Sequence, residues 1–97
     1  MFDIKEVVMT IDGAIVREQG QVFGIVIVQP SAMSSSSTAA ETRAAFQQGI
    51  ADFSGIPLVL ACQDSRGVFS YQGRRDIVDF LASIDASRIP WKRYSIS

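Results

Sequence analysis

The amino-acid sequence predicts a single mixed β-sheet with two helices, an α/β or α+β fold with the element order β-β-β-α-β-β-α-β. Two seven-residue apolar runs, over 22–28 and 56–62, lack alternation, which is typical of strands that are covered on both faces. A segment with helical apolar spacing separates the two runs, and a second such segment follows them. The chain has 97 residues, of which 47% are hydrophobic, so we expect one domain over residues 1–97.

The N-terminal third predicts three antiparallel strands. Residues 4–11 alternate loosely between apolar and polar side chains, as in a half-buried strand. The dipeptide Asp12-Gly13 then favours a type I′ hairpin turn, because both residue types tolerate a positive φ. A second strand would follow over 14–17, and a second polar turn over 18–21 would lead into the first apolar run. This arrangement is a β-meander that ends in a central strand.

The segment between the two apolar runs predicts the first helix. A serine-rich loop precedes Thr38 and Glu41, which have the spacing of a capping box. The apolar residues that follow recur at intervals of four and three: Phe46, Ile50 and Phe53. Gly55 and Pro57 are suitable residues to end the helix. We therefore expect a helix that begins at Thr38 and extends as far as Phe53; the alternative is an end at Gln48, because Gly49 disfavours a helix interior.

The remaining elements follow from the same patterns. A strand, a helix and a strand of these lengths form a right-handed crossover, so the two apolar strands should be parallel. Residues 68–72 are expected to return as an antiparallel partner, 74–83 to form the second helix and 91–96 a terminal strand. Because two strands are apolar throughout, we expect the helices on opposite faces of the sheet. The alternative places both helices on one face and closes the other face with a dimer.

The composition excludes several kinds of chemistry. The chain has no histidine, which rules out Ser-His-Asp and Cys-His catalysis within one chain. Its one cysteine, Cys62, allows no intrachain disulfide, and a zinc site would lack ligands. We therefore predict no catalytic residues, no metal and no cofactor. We interpret Cys62 as an inert core residue, since a reactive thiolate would need a group that lowers its pKa.

Charge and hydropathy set expectations for partners and location. The net charge is −1, so no general basic excess favours nucleic acid. Neither apolar run approaches the roughly 20 residues that cross a bilayer, and the N-terminus lacks the pattern of a signal peptide. We therefore expect a cytoplasmic protein without a membrane partner.

Residues 22–84 show a resemblance to a known family. Their order of strand, helix, strand, strand and helix resembles the C-terminal half of a thioredoxin-like domain. Pro57 precedes a buried strand at the position where that family keeps its cis-proline, and Tyr71-Gln72-Gly73 before the second helix is similar as well. The Cys-x-x-Cys motif of the family is absent, so the resemblance implies a related fold without the redox activity.

The best candidate for a ligand site is the loop over 64–67. It follows the end of a buried strand, where open α/β sheets often build ligand sites, and two arginines follow it. Residues 65–97 carry six basic and three acidic groups, a local charge of 6 − 3 = +3. The candidate residues for an anion or small ligand are Asp64, Ser65, Arg66, Gly67, Arg74 and Arg75. The alternative is a plain hairpin turn with solvated charges.

The C-terminal strand is the candidate interface. Trp91 and Arg93 share one face and Tyr94 lies on the other, so neither face is uniformly apolar, as suits an edge strand. We expect residues 89–97 to complete the domain's own sheet or to pair across a homodimer. The candidate interface residues are Trp91, Arg93 and Tyr94.

Three classes of function follow from these observations. The first is a non-catalytic protein-interaction or self-associating domain, which the missing catalytic groups favour. The second is an anion or small-ligand binding domain that uses the basic patch near 64–75. The third is an enzyme of unrecognised type. An exposed apolar patch would support the first class, converging arginines the second, and a strongly perturbed pKa in a cleft the third.

Overall fold

Five strands form one mixed sheet in the computed structural model, which describes residues 9–18 and 20–96. The strands are β1 (Met9–Glu18), β2 (Gln21–Ile27), β3 (Leu58–Gln63), β4 (Phe69–Gln72) and β5 (Lys92–Ile96). Their order across the sheet is β4-β3-β2-β1-β5. Strands β2 and β3 are parallel and the other neighbours are antiparallel. The predicted class, a mixed sheet with two helices, is confirmed, and so is the parallel pair.

Two α-helices and three short 3-10 helices connect the strands. Helix α1 is Ser36–Gly49 and helix α2 is Arg75–Ala82. The 3-10 helices are Pro30–Met33, Ala51–Phe53 and Ala86–Arg88. From β2 to β5 the order of strands and helices is the predicted one. No helix in the described ranges is long and apolar enough to cross a membrane.

The hairpin predicted at Asp12-Gly13 is wrong, because β1 runs through both residues without a turn. Gly13 pairs with Val26 on one side and with Lys92 on the other. A Cβ atom at this position would lie 2.7 Å from the carbonyl oxygen of Ile25, so the glycine permits a close approach of neighbouring backbone. The chain turns instead at Gly20, whose φ is 76°, within the predicted turn over 18–21. The part of the predicted first strand over residues 4–8 lies outside the described residues.

Each face of the sheet carries its own apolar core, which confirms that the helices lie on opposite faces. On the α2 face the buried residues are Ala14, Val16, Phe23, Ile25, Val59, Ala61, Ile77, Leu81 and Ile89. On the α1 face they are Val26, Ala39, Ile50, Phe53, Leu58, Leu60 and Tyr94. Burying a large apolar side chain completely contributes about 1.5–3 kcal/mol, so both layers contribute to stability.

Helix α1 differs from the prediction at both ends. Its N-cap is Ser35, whose hydroxyl accepts a hydrogen bond from the backbone N–H of Thr38 at 3.2 Å. The cap predicted at Thr38 is therefore three residues too late, since the serine-rich loop itself supplies the cap. The helix ends at Gly49, and Phe53 reaches the core from the separate 3-10 helix Ala51–Phe53.

The C-terminal segment completes the domain's own sheet, which is the first of the two predicted arrangements. Strand β5 pairs with β1 in a register that runs from Met9 opposite Ile96 to Gly13 opposite Lys92. In the described ranges all peptide bonds are trans, including the one before Pro57. The thioredoxin-like resemblance stays a prediction.

Candidate binding site

Three aromatic rings form a row on the α2 face beside the β4 edge. Phe69 is the central ring and stacks on Tyr71 with a centroid distance of 6.0 Å and an interplanar angle of 6°. Its other neighbour is Trp91, at 5.7 Å and 16°. All three side chains are half-buried. The row therefore leaves aromatic surface exposed at one end of the sheet, where a ligand or a partner chain can reach it.

A cleft lies against Trp91 and Phe69 at the carboxyl ends of the parallel strands. Its volume is about 550 Å³, and the last residues of β2 and β3, Ile27 and Gln63, form part of its wall. The remaining lining residues are Asp12, Gly67, Asp85, Ala86 and Ser87. Open α/β sheets commonly bind ligands at the carboxyl ends of strands, and this volume lies within the usual range for a ligand pocket.

Hydrogen bonds fix the groups around this cleft. The indole Nε1–H of Trp91 donates to the carbonyl oxygen of Ala86 at 2.9 Å, which holds the ring in one orientation. The side-chain amide of Gln63 donates to the carbonyl oxygen of Gly67 at 3.2 Å. The pKa of Asp85 is below its ordinary value, chiefly because the backbone N–H of Ser87 donates to its carboxylate at 2.9 Å. The wall of the cleft thus carries an ionised carboxylate at neutral pH.

The outer edge of β4 presents unpaired backbone groups beside the aromatic row. The carbonyl oxygen of Val68 accepts a hydrogen bond from the N–H of Asp64, so the backbone of Val68 faces β3. Because backbone direction alternates along an antiparallel strand, Phe69 and Tyr71 direct their N–H and C=O groups away from β3. No strand in the described part of the chain pairs with this side of β4. Phe69 and Tyr71 therefore offer both rings and open backbone groups.

The six residues predicted as a ligand site lie in two separate places. Asp64, Ser65, Arg66 and Gly67 form the exposed turn between β3 and β4. There Asp64 Oδ1 accepts the N–H groups of Arg66 and Val68 at 2.8 and 2.9 Å, and Gly67 has a φ of 83°.

Arg74 and Arg75 lie beyond the far end of β4. Strand β4 rises by about 10 Å from Phe69 to Gln72, since each step advances roughly 3.3 Å. At this far end Arg74 forms an ion pair with Asp76 at 2.7 Å and donates to the side chain of Gln21 at 3.1 Å. The structure thus separates the two arginines from the turn, and of the six residues only Gly67 lines the cleft.

The three predicted interface residues occupy three different environments. Trp91 belongs to the aromatic row. Arg93 is exposed and its Nε lies 3.4 Å from Asp12 Oδ1. Tyr94 is only 6% exposed and packs on Phe53 at a centroid distance of 4.9 Å, which places it in the α1 core. Burial raises the pKa of the Tyr94 phenol, with a smaller contribution from the charge of Asp52.

Other groups with possible chemistry lie apart from the cleft. Cys62, predicted to be an inert core residue, is half-buried and belongs to neither apolar core; it is the second-last residue of β3, next to the exposed Gln63. The pKa of Asp76 is lowered to about 2, chiefly by its hydrogen bond with Arg74, but this pair is exposed on the surface. Among residues 9–18 and 20–96 no cluster of acidic or cysteine side chains could hold a metal ion.

Sequence reasoning missed the aromatic row and most of the cleft. The spacing of Phe69 and Tyr71, two residues apart in a predicted strand, places both rings on one face and was a usable signal. The stacking of Trp91 on Phe69 had no such signal, because the two residues are far apart in the sequence. Asp12 was missed because it was assigned to a turn.

No family model, no curated protein and no solved structure matches this chain.

Proposed function

We propose that this domain is a protein-interaction module that binds an extended peptide segment along the outer edge of β4. The observation that supports this function best is the double role of Phe69 and Tyr71, whose backbone groups point outward while their rings line the α2 face. A peptide that adds a strand here gains main-chain hydrogen bonds from the edge. Its alternate side chains gain contact with the rings.

The two edges of the sheet differ in their protection against an added strand. The outer strand β5 carries the exposed cations Lys92 and Arg93, and such charges hinder pairing with another chain. Strand β4 has no charged residue, and Val68 just before it is 58% exposed. The apolar and unguarded edge is therefore β4, and a partner with apolar side chains fits it.

The interaction is expected to be weak and specific. Two outward-facing residues supply four backbone groups, and each hydrogen bond contributes about 0.5–1.5 kcal/mol net. A cross-strand contact with an aromatic ring adds roughly 0.2–1 kcal/mol. A short peptide should therefore bind with a Kd in about the micromolar to millimolar range, because association also costs rotational and translational freedom.

A basic anion site receives less support than the peptide edge. Two of its three arginines, Arg74 and Arg75, lie at the opposite end of β4 from the turn that contains Arg66, and Arg74 is already paired with Asp76. The exposed aromatic surface favours the interaction module instead.

The experiment selects peptides from a displayed random library on the wild-type domain and measures their affinity by calorimetry for matched variants. Tyr71→Ala removes one ring of the edge. Tyr71→Pro also removes an outward N–H, and proline is tolerated on the open side of an edge strand. We expect Tyr71→Ala to weaken binding and Tyr71→Pro to weaken it by about tenfold more, the equivalent of roughly 1.4 kcal/mol.

Arg93→Pro is the matched control on the other edge. The N–H of Gly24 donates to the carbonyl oxygen of Pro57, so the backbone of Gly24 faces β3. Because backbone direction alternates along each strand, the pairings of β2 with β1 and of β1 with β5 leave the backbone N–H of Arg93 facing outward. This variant also loses an outward N–H and should bind the selected peptides as the wild type does. The proposal would be contradicted if Arg93→Pro and Tyr71→Pro weakened peptide binding equally. It would also be contradicted if every selected peptide bound Tyr71→Pro as tightly as it binds the wild type.

A further inference from the structure

We propose that the cleft beside Trp91 is a second site, which binds a flat, uncharged heterocycle with N–H donors, of the purine type. The site is distinct from the peptide edge, because only Phe69 belongs to both. Three features carry the inference: a fixed aromatic ring, hydrogen-bond acceptors around it and the absence of cationic lining residues in the described part of the chain.

The Trp91 ring is held in place from two directions. Phe69 stacks on it, and the bond from its Nε1–H to Ala86 fixes its rotation. A ring that is already ordered loses little conformational freedom when a ligand stacks on it, and every nucleobase has a face that can do so. Ile27 and Ala86 extend the apolar part of the wall.

The polar atoms of the cleft are chiefly acceptors. Asp12 and Asp85 contribute carboxylates, and the hydrogen bond from Ser87 lowers the pKa of Asp85. Gln63 uses its amide N–H to donate to Gly67, which leaves its carbonyl oxygen to accept. Acceptors of this kind complement the exocyclic amine of a purine such as adenosine.

The charge of the cleft selects against phosphate. No lysine or arginine in the described ranges lines it, although Arg93 contacts Asp12 from outside at 3.4 Å and the charge of Arg88 acts weakly on Asp85. The carboxylate of Asp85 repels a phosphate in or near the cleft, so a nucleotide should bind less tightly than a nucleoside or free base. The volume of about 550 Å³ accommodates a ligand of this size.

The test titrates the wild-type protein with adenosine and follows the fluorescence of Trp91, the only tryptophan in the chain. We expect saturable quenching with a Kd below about 1 mM, confirmed by calorimetry. Adenosine monophosphate should bind at least about threefold more weakly at low salt, because a charge pair about 7 Å apart repels by roughly that factor even in water.

Two aspartate variants test the source of this selectivity. Asp85→Asn keeps an acceptor but removes the charge, so the ratio of the two dissociation constants should fall towards one. Asp79→Asn, which changes an exposed residue of α2 away from the cleft, should leave the ratio unchanged.

Two results would overturn the proposal: no saturable quenching up to about 10 mM adenosine, or monophosphate binding as tight as that of adenosine. Tyr71→Pro separates this site from the peptide edge, because it should weaken peptide binding and leave the adenosine affinity unchanged.

Discussion

Gly24 allows close packing on the α1 face of the sheet. A Cβ atom at this position would lie 2.7 Å from Phe53 Cδ1 and 3.0 Å from Leu58 Cδ1. The ring of Phe53 therefore rests directly on the backbone of β2, and only glycine leaves room for it. Because Phe53 is fully buried, it has no free space into which it could move.

Gly24→Ala should destabilise the domain by about 1–3 kcal/mol, the usual range for overpacking a filled core. Chemical denaturation of the purified variant measures this. Gly49→Ala is the control, since Gly49 is the exposed last residue of α1, where alanine favours the helix by up to about 1 kcal/mol. A Gly24→Ala protein as stable as the wild type would show that the α1 core is looser than described.

The Arg74–Asp76 pair makes a contribution to stability that depends on pH. Its hydrogen bond lowers the pKa of Asp76 from 3.8 to about 2. Because the carboxyl of the folded protein binds protons more weakly than that of the unfolded chain, the pair stabilises above about pH 4. Its contribution falls as the pH decreases towards 2. Both side chains are about half exposed, so the effect is small.

Asp76→Asn should therefore be less stable than the wild type at about pH 5, and the difference should shrink as the pH approaches 2. Thermal melting of both proteins across this range measures the difference. Arg74→Gln should give the same pH-dependent loss. A difference that stays constant or grows towards low pH would show that the ion pair does not account for the pKa of Asp76.

At the scale of elements, the C-terminal segment joins the two cores of the domain. Ile89 is buried in the α2 core and Tyr94 in the α1 core. Between them Trp91 reaches the aromatic row, and β5 pairs with β1. This segment is thus a structural part of the domain.

Tyr94→Ala should cost about 3–5 kcal/mol, as other deletions of large buried aromatic side chains do. In a domain of this size each kcal/mol lowers Tm by roughly 4–8 °C, so calorimetry should show a fall of well over 10 °C. Arg93→Ala changes the adjacent exposed residue of the same strand and should stay within about 0.5 kcal/mol of the wild type. Similar effects for the two variants would contradict the placement of Tyr94 in the core.

The sequence predicted those strands and helices whose apolar pattern lies within the segment itself. Buried strands β2 and β3 show unbroken apolar runs, and α2 shows a regular apolar stripe, so their positions followed directly from the pattern. The hairpin prediction at Asp12-Gly13 failed because an Asp-Gly dipeptide is not found only in turns. Its glycine can also lie inside a central strand whose backbone passes close to a neighbouring strand. Only the pairing of Gly13 with β2 and β5, which involves residues far along the chain, decides between the two roles.

The candidate site was less predictable than the fold, because it depends on contacts between residues that are far apart in the sequence. Phe69 and Tyr71 could be assigned to one face, whereas the stacking of Trp91 depends on the path of the chain through Ala86–Arg88. The distance between the 64–67 turn and Arg74 depends on the extended shape of β4. The turn and Arg74 are close in sequence, which suggested a common site. Strand β4 lies between them and keeps them apart.

At the scale of the whole molecule, the sheet has one guarded and one open edge. Cations line β5, whereas the uncharged β4 carries two of the three half-buried rings of the aromatic row. This asymmetry favours strand addition on one side only. It also places the peptide edge next to the Trp91 cleft, with Phe69 shared between them.

The most direct test of the peptide edge is residue-resolved amide hydrogen exchange, measured by NMR in the free domain and with a library-selected peptide at saturation. In the free domain the amides of Phe69 and Tyr71 should exchange faster than those of Ser70 and Gln72, which face β3. The peptide should slow both outward amides and leave that of Arg93 unchanged. Outward amides of β4 that exchange as fast in the complex as in the free domain would contradict strand addition at this edge.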